Sequence, residues 1–401
     1  MTQNPSSARS PGPLRKWQSI LAPENLHFVL TGAAVAFLIP ILHRVHLPVR
    51  WDLDQMLNSY IILAVQSAVL ATVLYAIQNP KELLISFRNQ YWLNKPKLLI
   101  LAAFVAILVL VVGAKFAVLI TVETLAVLEL MHRDRLKTPN NQERLAHRIM
   151  GLLPAAAYLF FGLIMVFTYN NIIVRVRYYG AYDEFFNWLD VRLFGTTVSA
   201  LAHHAAEVLP AGTLSALNFI YFGMFPQIGT TLILCAMLSG RRRAMQFVGA
   251  VLFANYLALI IFYLWPSHGP YVLCSHHFER LRYDLSSYLS QKNMLANARY
   301  LWQQKPVHSI PMAFYIAFPC MHIAQPLVVL WFIRKWKRIA SLFVAYDVLL
   351  LAAILLLEWH YFVDLLGGVA VAAATIFVMS RDSGPRAGEK QIAWARTAGP
   401  Y

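Results

Sequence analysis

The amino-acid sequence predicts an all-α polytopic membrane protein, and both its composition and its long apolar runs indicate this class. Of the 401 residues, 59% are hydrophobic and 13% are charged, whereas soluble domains average about 45–50% apolar and about 25% charged residues. A helix needs about 20 apolar residues to cross a bilayer core of about 30 Å. The stretches that meet or approach this length are 26–47, 58–78, 98–131, 151–174, 214–238, 246–264, 312–333, 339–357 and 361–379.

The stretch at 98–131 is too long for one ordinary span. It forms either a long tilted helix or a tight hairpin that turns near Gly113 and Lys115, so we expect nine or ten spans. The Ser-, Pro- and Arg-rich residues 1–25 predict a disordered cytoplasmic tail rather than a cleaved signal peptide. The other expected units are an accessory transmembrane region at 26–148, a catalytic transmembrane core at 149–380 and a cytoplasmic tail at 381–401.

Basic residues are concentrated in short loops between the apolar stretches. The formal net charge is +15 at pH 7, from 34 Lys and Arg against 19 Asp and Glu. Cations placed in this way mark cytoplasmic loops, where they also attract anionic lipid headgroups, and they do not indicate a nucleic-acid-binding surface. The loops predicted to be cytoplasmic are 131–148, 239–245 and 334–338, together with the C-terminal tail. The segments predicted on the opposite side are 175–213, 265–311 and 358–360.

The outer segment at 182–195 has the pattern of an amphipathic helix that lies at the membrane surface and ends at Gly195. Apolar residues fall near one face of this helix: Phe185, Phe186, Trp188 and Leu189. Polar residues lie around another face: Asp183, Asn187 and Asp190. Aromatic residues near span ends are typical of the interfacial aromatic belt, to which we assign Trp265, Tyr271, Trp302 and Trp359.

Two clusters of ionisable residues lie at span ends on the predicted outer side. One cluster is the segment 318–322, which ends at His322, and the other is the segment 358–368, which contains His360 and Asp364. Ionisable residues within or beside spans are costly to bury and mark candidate functional sites. His360 and Asp364 are four residues apart, so on a helix they would share one face. The carboxylate would then fix the imidazole tautomer and support its cationic form.

An imidazole held by a carboxylate can attack phosphorus with its other nitrogen and form a phosphohistidine. His322 can protonate the leaving alkoxide as a general acid and then deprotonate the incoming hydroxyl. Helix N-termini beside both histidines would supply N–H groups for the phosphate oxygens. Structural roles remain open as well. His322 can bond a backbone carbonyl, His360 and Asp364 can cap the last helix, and Cys320 can pack as a buried, protonated thiol.

The motifs Pro-Cys-Met-His at 319–322 and His-Tyr-x-x-Asp-x-x-x-Gly at 360–368 resemble the type 2 phosphatidic acid phosphatase superfamily. More narrowly, they are similar to the branch that contains fungal inositol phosphorylceramide synthase and sphingomyelin synthase. The segment Asp190–Gly195 and the turn Gly269–Tyr271 add to this likeness, which covers about residues 150–380. The resemblance implies a six-helix phosphatase or phosphotransferase core, preceded here by three or four extra transmembrane helices.

The resemblance also implies roles for individual residues: His322 is the acid, and His360 with Asp364 is the nucleophilic pair. Three departures from the usual superfamily pattern favour the transferase branch. Cys320 stands at the usual serine position, Ala353-Ile354 replaces the usual Ser-Arg, and no Lys-x6-Arg-Pro motif occurs near 265–271. The phosphate charge is then left without an obvious clamp, and the candidate phosphate-binding residues are Cys320, His268, Arg280 and Arg282.

These observations predict a membrane-embedded lipid phosphotransferase. It would move a phosphate-linked headgroup from a lipid donor to a lipid or polyol hydroxyl, at the non-cytoplasmic face and without a metal or other cofactor. Its partners are a lipid phosphate substrate, the acceptor and membrane lipids, with no nucleic acid; the oligomeric state stays open. The first alternative is a lipid phosphate phosphatase that releases phosphate to water.

Two further alternatives come from other polar residues. A metal site would draw on the outer residues His203, His204, Glu207, His268, Cys274, His276 and His277, since His203 and Glu207 have helical spacing. A transporter without catalysis is suggested by charged residues in apolar stretches: Lys115, Glu123, Glu129 and Asp347. The sequence shows no inverted repeat of the kind that many transporters have.

Overall fold

The computed structural model describes residues 49–50, 67, 71, 141–177, 182–273, 285–303, 307–308 and 314–380. Within these ranges the regular secondary structure is helical, apart from one pair of two-residue parallel strands, β1 (Val49–Arg50) and β2 (Val307–His308). The α-helices described are α1 (Asn141–Val176), α2 (Asp183–Phe194), α3 (Val198–Val208), α4 (Ala211–Phe222), α5 (Met224–Leu234), α6 (Arg241–Leu264), α7 (Ser286–Trp302), α8 (Met321–Ile333), α9 (Lys337–Leu356) and α10 (Phe362–Ser380). A π-helical turn, Cys235–Ser239, extends α5.

Four of these helices are long and apolar enough to cross a membrane: α1 from Pro154 onward, α6, α9 and α10. The pair α4 and α5 makes a fifth span if it is counted as one helix bent by 40°. The bend lies at Gly223, where an added Cβ would strike the hydroxyl of Tyr346 from α9. That hydroxyl donates a hydrogen bond to the carbonyl oxygen of Ile220. The architecture is that of a multi-pass α-helical membrane protein, as predicted.

The first three apolar stretches, and with them the choice between nine and ten spans, lie outside the described residues except for Ser67 and Ala71. Both residues are helical and buried. The Ser67 hydroxyl donates to the carbonyl oxygen of Pro226 at 3.3 Å, and the Ser67 carbonyl accepts from the Thr230 hydroxyl at 3.1 Å. Ser67, from the predicted accessory region, is therefore in direct contact with α5. The two tails also lie outside the described residues.

The apolar stretch at 312–333 is not one continuous helix, in contrast to the prediction. Only α8 is helical there, and its 13 residues extend about 20 Å, which is less than the hydrocarbon thickness of about 30 Å. The chain at 314–320 is irregular but largely buried, with Tyr315 and Ala317 at 2% and 1% exposure. The amide of Ala317 donates to the carbonyl oxygen of Ser267. Irregular backbone at this depth is tolerated because it is enclosed by protein.

The predicted surface helix at 182–195 is present as α2, and Gly195 ends it in a left-handed conformation with φ 74°. The polar side of this helix, together with Phe186, packs against the rest of the protein. Asp183, Phe186 and Asp190 are buried, whereas Phe185 and Trp188 are 48% and 50% exposed. The acidic residues are buried because they accept hydrogen bonds from the core of the protein, which leaves the apolar rings on the outer surface of the helix.

Candidate active site

The two predicted motifs meet where α8 and α10 begin. The amide of Cys320, the residue before α8, donates to the carbonyl oxygen of Asp364 at 3.0 Å. Gly368 allows this approach, since a Cβ at that position would lie 2.4 Å from the carbonyl oxygen of Cys320. The structure therefore brings His322, at the second position of α8, next to His360, which precedes α10 by two residues.

His360 is held by two acceptors at one of its ring nitrogens. Its Nδ1 lies 3.0 Å from the carbonyl oxygen of Ala317 and 3.4 Å from Oδ2 of Asp364. Because both partners can only accept, Nδ1 carries the proton and Nε2 keeps its lone pair. That nitrogen lies 3.1 Å from Nδ1 of His322. The buried His360 thus has the tautomer that an attacking imidazole requires.

The carboxylate of Asp364 also caps α10. Its Oδ2 accepts from the amide of Tyr361 at 2.8 Å, which is the side-chain-to-N-cap bond of a capping box. His360 and Asp364 do not share a helical face as predicted, because His360 lies before the first residue of α10. The turn at Tyr361 brings the two side chains together instead. Capping, which was an alternative to the catalytic role, occurs alongside the contact with His360.

His322 is partly buried and forms the end of a column of stacked rings. Its ring stacks on Tyr221 of α4 at a centroid distance of 4.5 Å, and Tyr221 stacks on Trp359 at 4.7 Å with an interplanar angle of 7°. The sequence did not indicate Tyr221. The assignment of Trp359 and Tyr271 to the aromatic belt was wrong, since they are 6% and 1% exposed.

Asp183, which the sequence placed on the polar face of α2, is the centre of a buried hydrogen-bond network. Its Oδ1 accepts from the hydroxyl of Ser267 at 3.1 Å, the amides of His268 at 3.0 Å and Gly269 at 2.9 Å, and the hydroxyl of Tyr361 at 3.2 Å. Asp183 is fully buried. It therefore fixes the turn after α6 and the residue next to His360 to the same point on α2.

Asp190 has a related role about two helical turns further along α2. Its two oxygens accept from the amides of Phe362 at 2.9 Å and Val363 at 3.1 Å, the first two residues of α10. Burial raises the pKa of Asp190 to about 6, although the two amide donors lower it. These two amides of α10 already donate to Asp190, so they do not offer N–H groups to a phosphate as predicted. The N-terminus of α8, beside His322, remains as the candidate.

The structure separates the candidate phosphate-binding residues. Cys320 is fully buried, and its Sγ lies within 4.8 Å of ring nitrogens of both His322 and His360. His268 is directed to Asp183 instead, with its Nδ1 3.6 Å from Oδ2 of that residue, and it is 2% exposed. Arg280 and Arg282 lie outside the described residues.

The residues of the alternative metal site do not come together where the structure describes them. His203 and Glu207 form a pair at 3.3 Å on α3, and their side chains are 53% and 63% exposed, whereas His268 is buried beside Asp183. Cys274, His276 and His277 lie outside the described ranges. In the described part of the chain, metal-ligating atoms converge instead at Cys320, His322 and His360.

The transporter alternative rested partly on Asp347, which the structure places in α9. Its Oδ1 accepts a hydrogen bond from Nε2 of Gln227 in α5 at 2.8 Å. This pair links two helices within the apolar region and accounts for the presence of a carboxyl group in a span. Lys115, Glu123 and Glu129 lie outside the described residues.

Comparison with known proteins gives one match. A comparison with curated proteins and one with solved structures found none, whereas the family model of the PAP2 superfamily matches residues 189–378. The matched segment is slightly less than half of the chain, and it begins within α2 and includes both histidine motifs. The narrower resemblance to the inositol phosphorylceramide and sphingomyelin synthases is not distinguished by this match. Residues 189–378 thus carry the PAP2 superfamily pattern, which indicates a phosphatase or a phosphotransferase.

Proposed function

We propose that the protein is a membrane-embedded lipid phosphotransferase that works through a phosphohistidine at His360. The observation that carries this proposal is the arrangement of the two histidines. Nε2 of His360 is unprotonated, since Nδ1 faces Ala317 and Asp364, and it accepts a hydrogen bond from Nδ1 of His322 at 3.1 Å. A nucleophile, its orienting carboxylate and a general acid are thereby assembled at one point.

In the first half-reaction, Nε2 of His360 attacks the donor phosphorus. The new P–N bond forms as the P–O bond to the leaving alcohol breaks. His322, which enters this step as the imidazolium, gives a proton to the departing oxygen and becomes neutral. The imidazole of His360 becomes cationic, and its Nδ1–H continues to face the carbonyl of Ala317 and the carboxylate of Asp364. These two acceptors stabilise the positive charge at the moment it forms.

In the second half-reaction, His322 removes the proton from the acceptor hydroxyl, and the oxygen attacks phosphorus. The P–N bond breaks and His360 returns to its original tautomer. The contact of 3.1 Å between the rings leaves no room for a phosphoryl group, so substrate binding must separate them. His322 is the ring expected to move, because it is only partly buried and rests on Tyr221 by stacking.

Transfer to an alcohol is favoured over hydrolysis because the nucleophile is shielded from water. His360 is 2% exposed and Asp364 is fully buried, and the neighbouring side chains Tyr221 and Trp359 are aromatic and buried as well. A site closed to water protects a reactive intermediate from hydrolysis. A lipid phosphate phosphatase, in which water is the acceptor, is the second candidate and uses the same first half-reaction.

The helix directions support a site on the non-cytoplasmic side. Helices α6 and α9 begin with basic residues, at Arg241 and Lys337, and their other ends lead to the site through 265–269 and 358–360. Helix α8 begins at the site and ends beside Arg334. The basic ends of all three helices thus lie opposite the histidines, and basic ends are usually cytoplasmic.

Orientation is tested by cysteine labelling in intact cells with a membrane-impermeant thiol reagent. A cysteine at position 286 of α7 should react, because Gln291 of this helix donates to the carbonyl of Leu357 at the site end of α9. Cysteines at positions 242 and 383 should be protected. Reaction at positions 242 and 383 with protection at 286 would place the site on the cytoplasmic side.

The reaction is tested with the purified chain and a panel of phosphatidylinositol, phosphatidic acid and a prenyl diphosphate, with mass spectrometry of all products. Transfer gives a phosphorylated acceptor, whereas hydrolysis gives a free phosphate monoester or inorganic phosphate. A donor labelled at phosphorus should leave acid-labile, base-stable label on the protein. His360→Ala should abolish label and turnover, whereas His203→Ala, at an exposed site on α3, should retain both. Full turnover by His360→Ala would refute the mechanism.

A further inference from the structure

The candidate site contains a third group that the proposed reaction does not use. The Sγ of Cys320 and ring nitrogens of His322 and His360 all lie within 4.8 Å of one another. The two histidine nitrogens that face each other, Nδ1 of His322 and Nε2 of His360, are 3.1 Å apart. Two nitrogens bound to one tetrahedral zinc ion at about 2.0–2.1 Å lie about 3.3 Å apart. The spacing of the rings is therefore close to that of a zinc ligand pair.

We propose that Cys320, His322 and His360 form a binding site for Zn²⁺ or another thiophilic divalent cation. The thiolate of Cys320 and the two facing histidine nitrogens supply three ligands, and a water molecule or a phosphate oxygen takes the fourth position. The donor set of one sulfur and two imidazoles favours zinc over Mg²⁺ or Ca²⁺, which prefer oxygen ligands. Binding releases the thiol proton of Cys320, because the metal stabilises the thiolate.

The surroundings of His360 fit a metal ligand as well as a nucleophile. Histidines that bind zinc through one ring nitrogen usually donate the other N–H to a carboxylate or a backbone carbonyl. Nδ1 of His360 faces both kinds of acceptor, the carbonyl of Ala317 and the carboxylate of Asp364. These contacts direct the lone pair of Nε2 toward His322 and Cys320 before any ion enters.

Metal binding and phosphoryl transfer exclude each other at this site. The bound ion would use the same lone pair of His360 with which the imidazole attacks phosphorus, and it would also hold His322. Zinc is therefore expected to inhibit the enzyme, and this consequence rests on the proposed function. The binding itself rests only on the positions of the three side chains. A serine at position 320, as in the pattern usual for the superfamily, would remove the sulfur ligand and weaken the site.

Binding is tested with Co²⁺ as a spectroscopic probe on the full chain, purified in detergent and freed of metal with a chelator. Wild type should bind Co²⁺ stoichiometrically, with the visible bands of a tetrahedral site and a near-ultraviolet thiolate-to-metal charge-transfer band. Zn²⁺ should displace the probe. Cys320→Ser should lose the charge-transfer band and bind Co²⁺ at least about tenfold more weakly. Loss of a residue that only supports a metal ligand already lowers metal affinity by about 10–100-fold.

The matched control retains Cys320 as the sole cysteine, through Cys235→Ser and Cys274→Ser. Cys235 is buried in the π-helical turn after α5, away from the site, so this variant should keep the wild-type spectrum. X-ray absorption of the zinc form should show one sulfur at about 2.3 Å and nitrogens at about 2.0–2.1 Å, and this measurement needs no variant. A charge-transfer band that persists in Cys320→Ser, or zinc bound without sulfur, would overturn the proposal.

The activity measurement separates the two proposals. Zn²⁺ should inhibit turnover by wild type and by the control with Cys320 as sole cysteine, and Cys320→Ser should need a higher zinc concentration for the same fractional inhibition. If no donor of the panel reacts, the proposed function fails, but the cobalt and absorption spectra still decide whether the metal site exists. If turnover is found without a thiolate–cobalt band in wild type, the metal site fails and the function stands.

Discussion

Asp183→Asn is expected to destabilise the protein strongly although it removes only one charge. The Asp183 carboxylate accepts from Ser267, His268, Gly269 and Tyr361 at distances of 2.9–3.2 Å. Hydrogen bonds to a charged group contribute about 1.5–3 kcal/mol each, and those between neutral groups contribute about 0.5–1.5 kcal/mol. Loss of the charge therefore costs about 1 kcal/mol for each of the four bonds, or about 4 kcal/mol in total.

The side-chain amide of the new asparagine also introduces a repulsive contact, in addition to the weaker hydrogen bonds. Its NH₂ group would replace Oδ2, which faces the amide of His268 at 3.2 Å, and two donors would then point at each other. In a domain of about 150–250 residues, a loss of about 4 kcal/mol lowers the melting temperature by about 8–16 °C. The assay is thermal unfolding of the purified protein in detergent, followed by a thiol-reactive dye or by intrinsic fluorescence.

The matched control is Glu184→Gln, the same chemical change one residue along α2. Glu184 is exposed, and substitutions at exposed positions usually change stability by less than about 0.5 kcal/mol. Its melting temperature should therefore stay within about 2 °C of wild type. If Asp183→Asn melts as close to wild type as the control does, the network around Asp183 does not hold the turn after α6 as inferred.

The same network predicts an effect on turnover that is separable from stability. Tyr361 follows His360 in the chain, and its hydroxyl donates a hydrogen bond to Asp183. Tyr361 therefore acts as a positioning residue for His360. Tyr361→Phe keeps the ring, which lies near Phe186 at a centroid distance of 6.2 Å, and removes only the hydroxyl. We expect kcat to fall while KM for the lipid donor stays the same, at a temperature where the variant remains folded. An unchanged kcat would limit the role of Tyr361 to stability.

Three further changes test other parts of the site. His322→Ala should slow both half-reactions by about 10²–10⁴-fold, and a donor with a good leaving group should partly restore phosphoenzyme formation; uniform loss with every donor would contradict the acid role. Gly368→Ala would put a Cβ 2.4 Å from the carbonyl oxygen of Cys320, whereas Gly212 has open space around it. Overpacking costs about 1–3 kcal/mol, so Gly368→Ala should melt below wild type and Gly212→Ala should not. The pKa of Asp190 is raised to about 6 from an unfolded value of about 3.9. The protonated carboxyl of Asp190 therefore stabilises the protein fully below about pH 4, and this contribution is lost as the pH rises through about 6. Asp190→Asn should remove the fall in melting temperature between these two pH values. A melting temperature of wild type that rises over this range would contradict the raised pKa of Asp190.

The spans and the two histidine motifs could be predicted because their signals are local. Helices α1, α6, α9 and α10 follow from runs of apolar residues long enough to cross a bilayer. The alternation of basic loops predicted that His322 and His360 lie on the same side of the membrane, and the structure shows that they are in contact. No part of that reasoning required knowledge of how the helices pack.

The roles of Asp183 and Asp190 could not be predicted, because their partners are distant in the sequence. Asp183 contacts residues 84 to 178 positions away, and Asp190 contacts Phe362 and Val363, 172 and 173 positions away. Periodicity predicted the helix and its two faces, but it did not indicate which face packs against the protein. For a helix at a membrane surface, the apolar side can face lipid while the polar side faces the protein, so apolar residues do not identify the protein core.

Hydropathy could not predict the break in the apolar stretch at 312–333, because the residues on both sides of the break are apolar. The geometry of the site depends on this break. In a continuous α-helix the carbonyl oxygen of Ala317 would accept from the amide of Met321, four residues later. Because α8 begins only at Met321, this oxygen is available and lies 3.0 Å from Nδ1 of His360. The same break allows the amide of Cys320 to bond the carbonyl of Asp364. Irregular chain within an apolar stretch is therefore what connects the two halves of the site and sets the tautomer of its nucleophile.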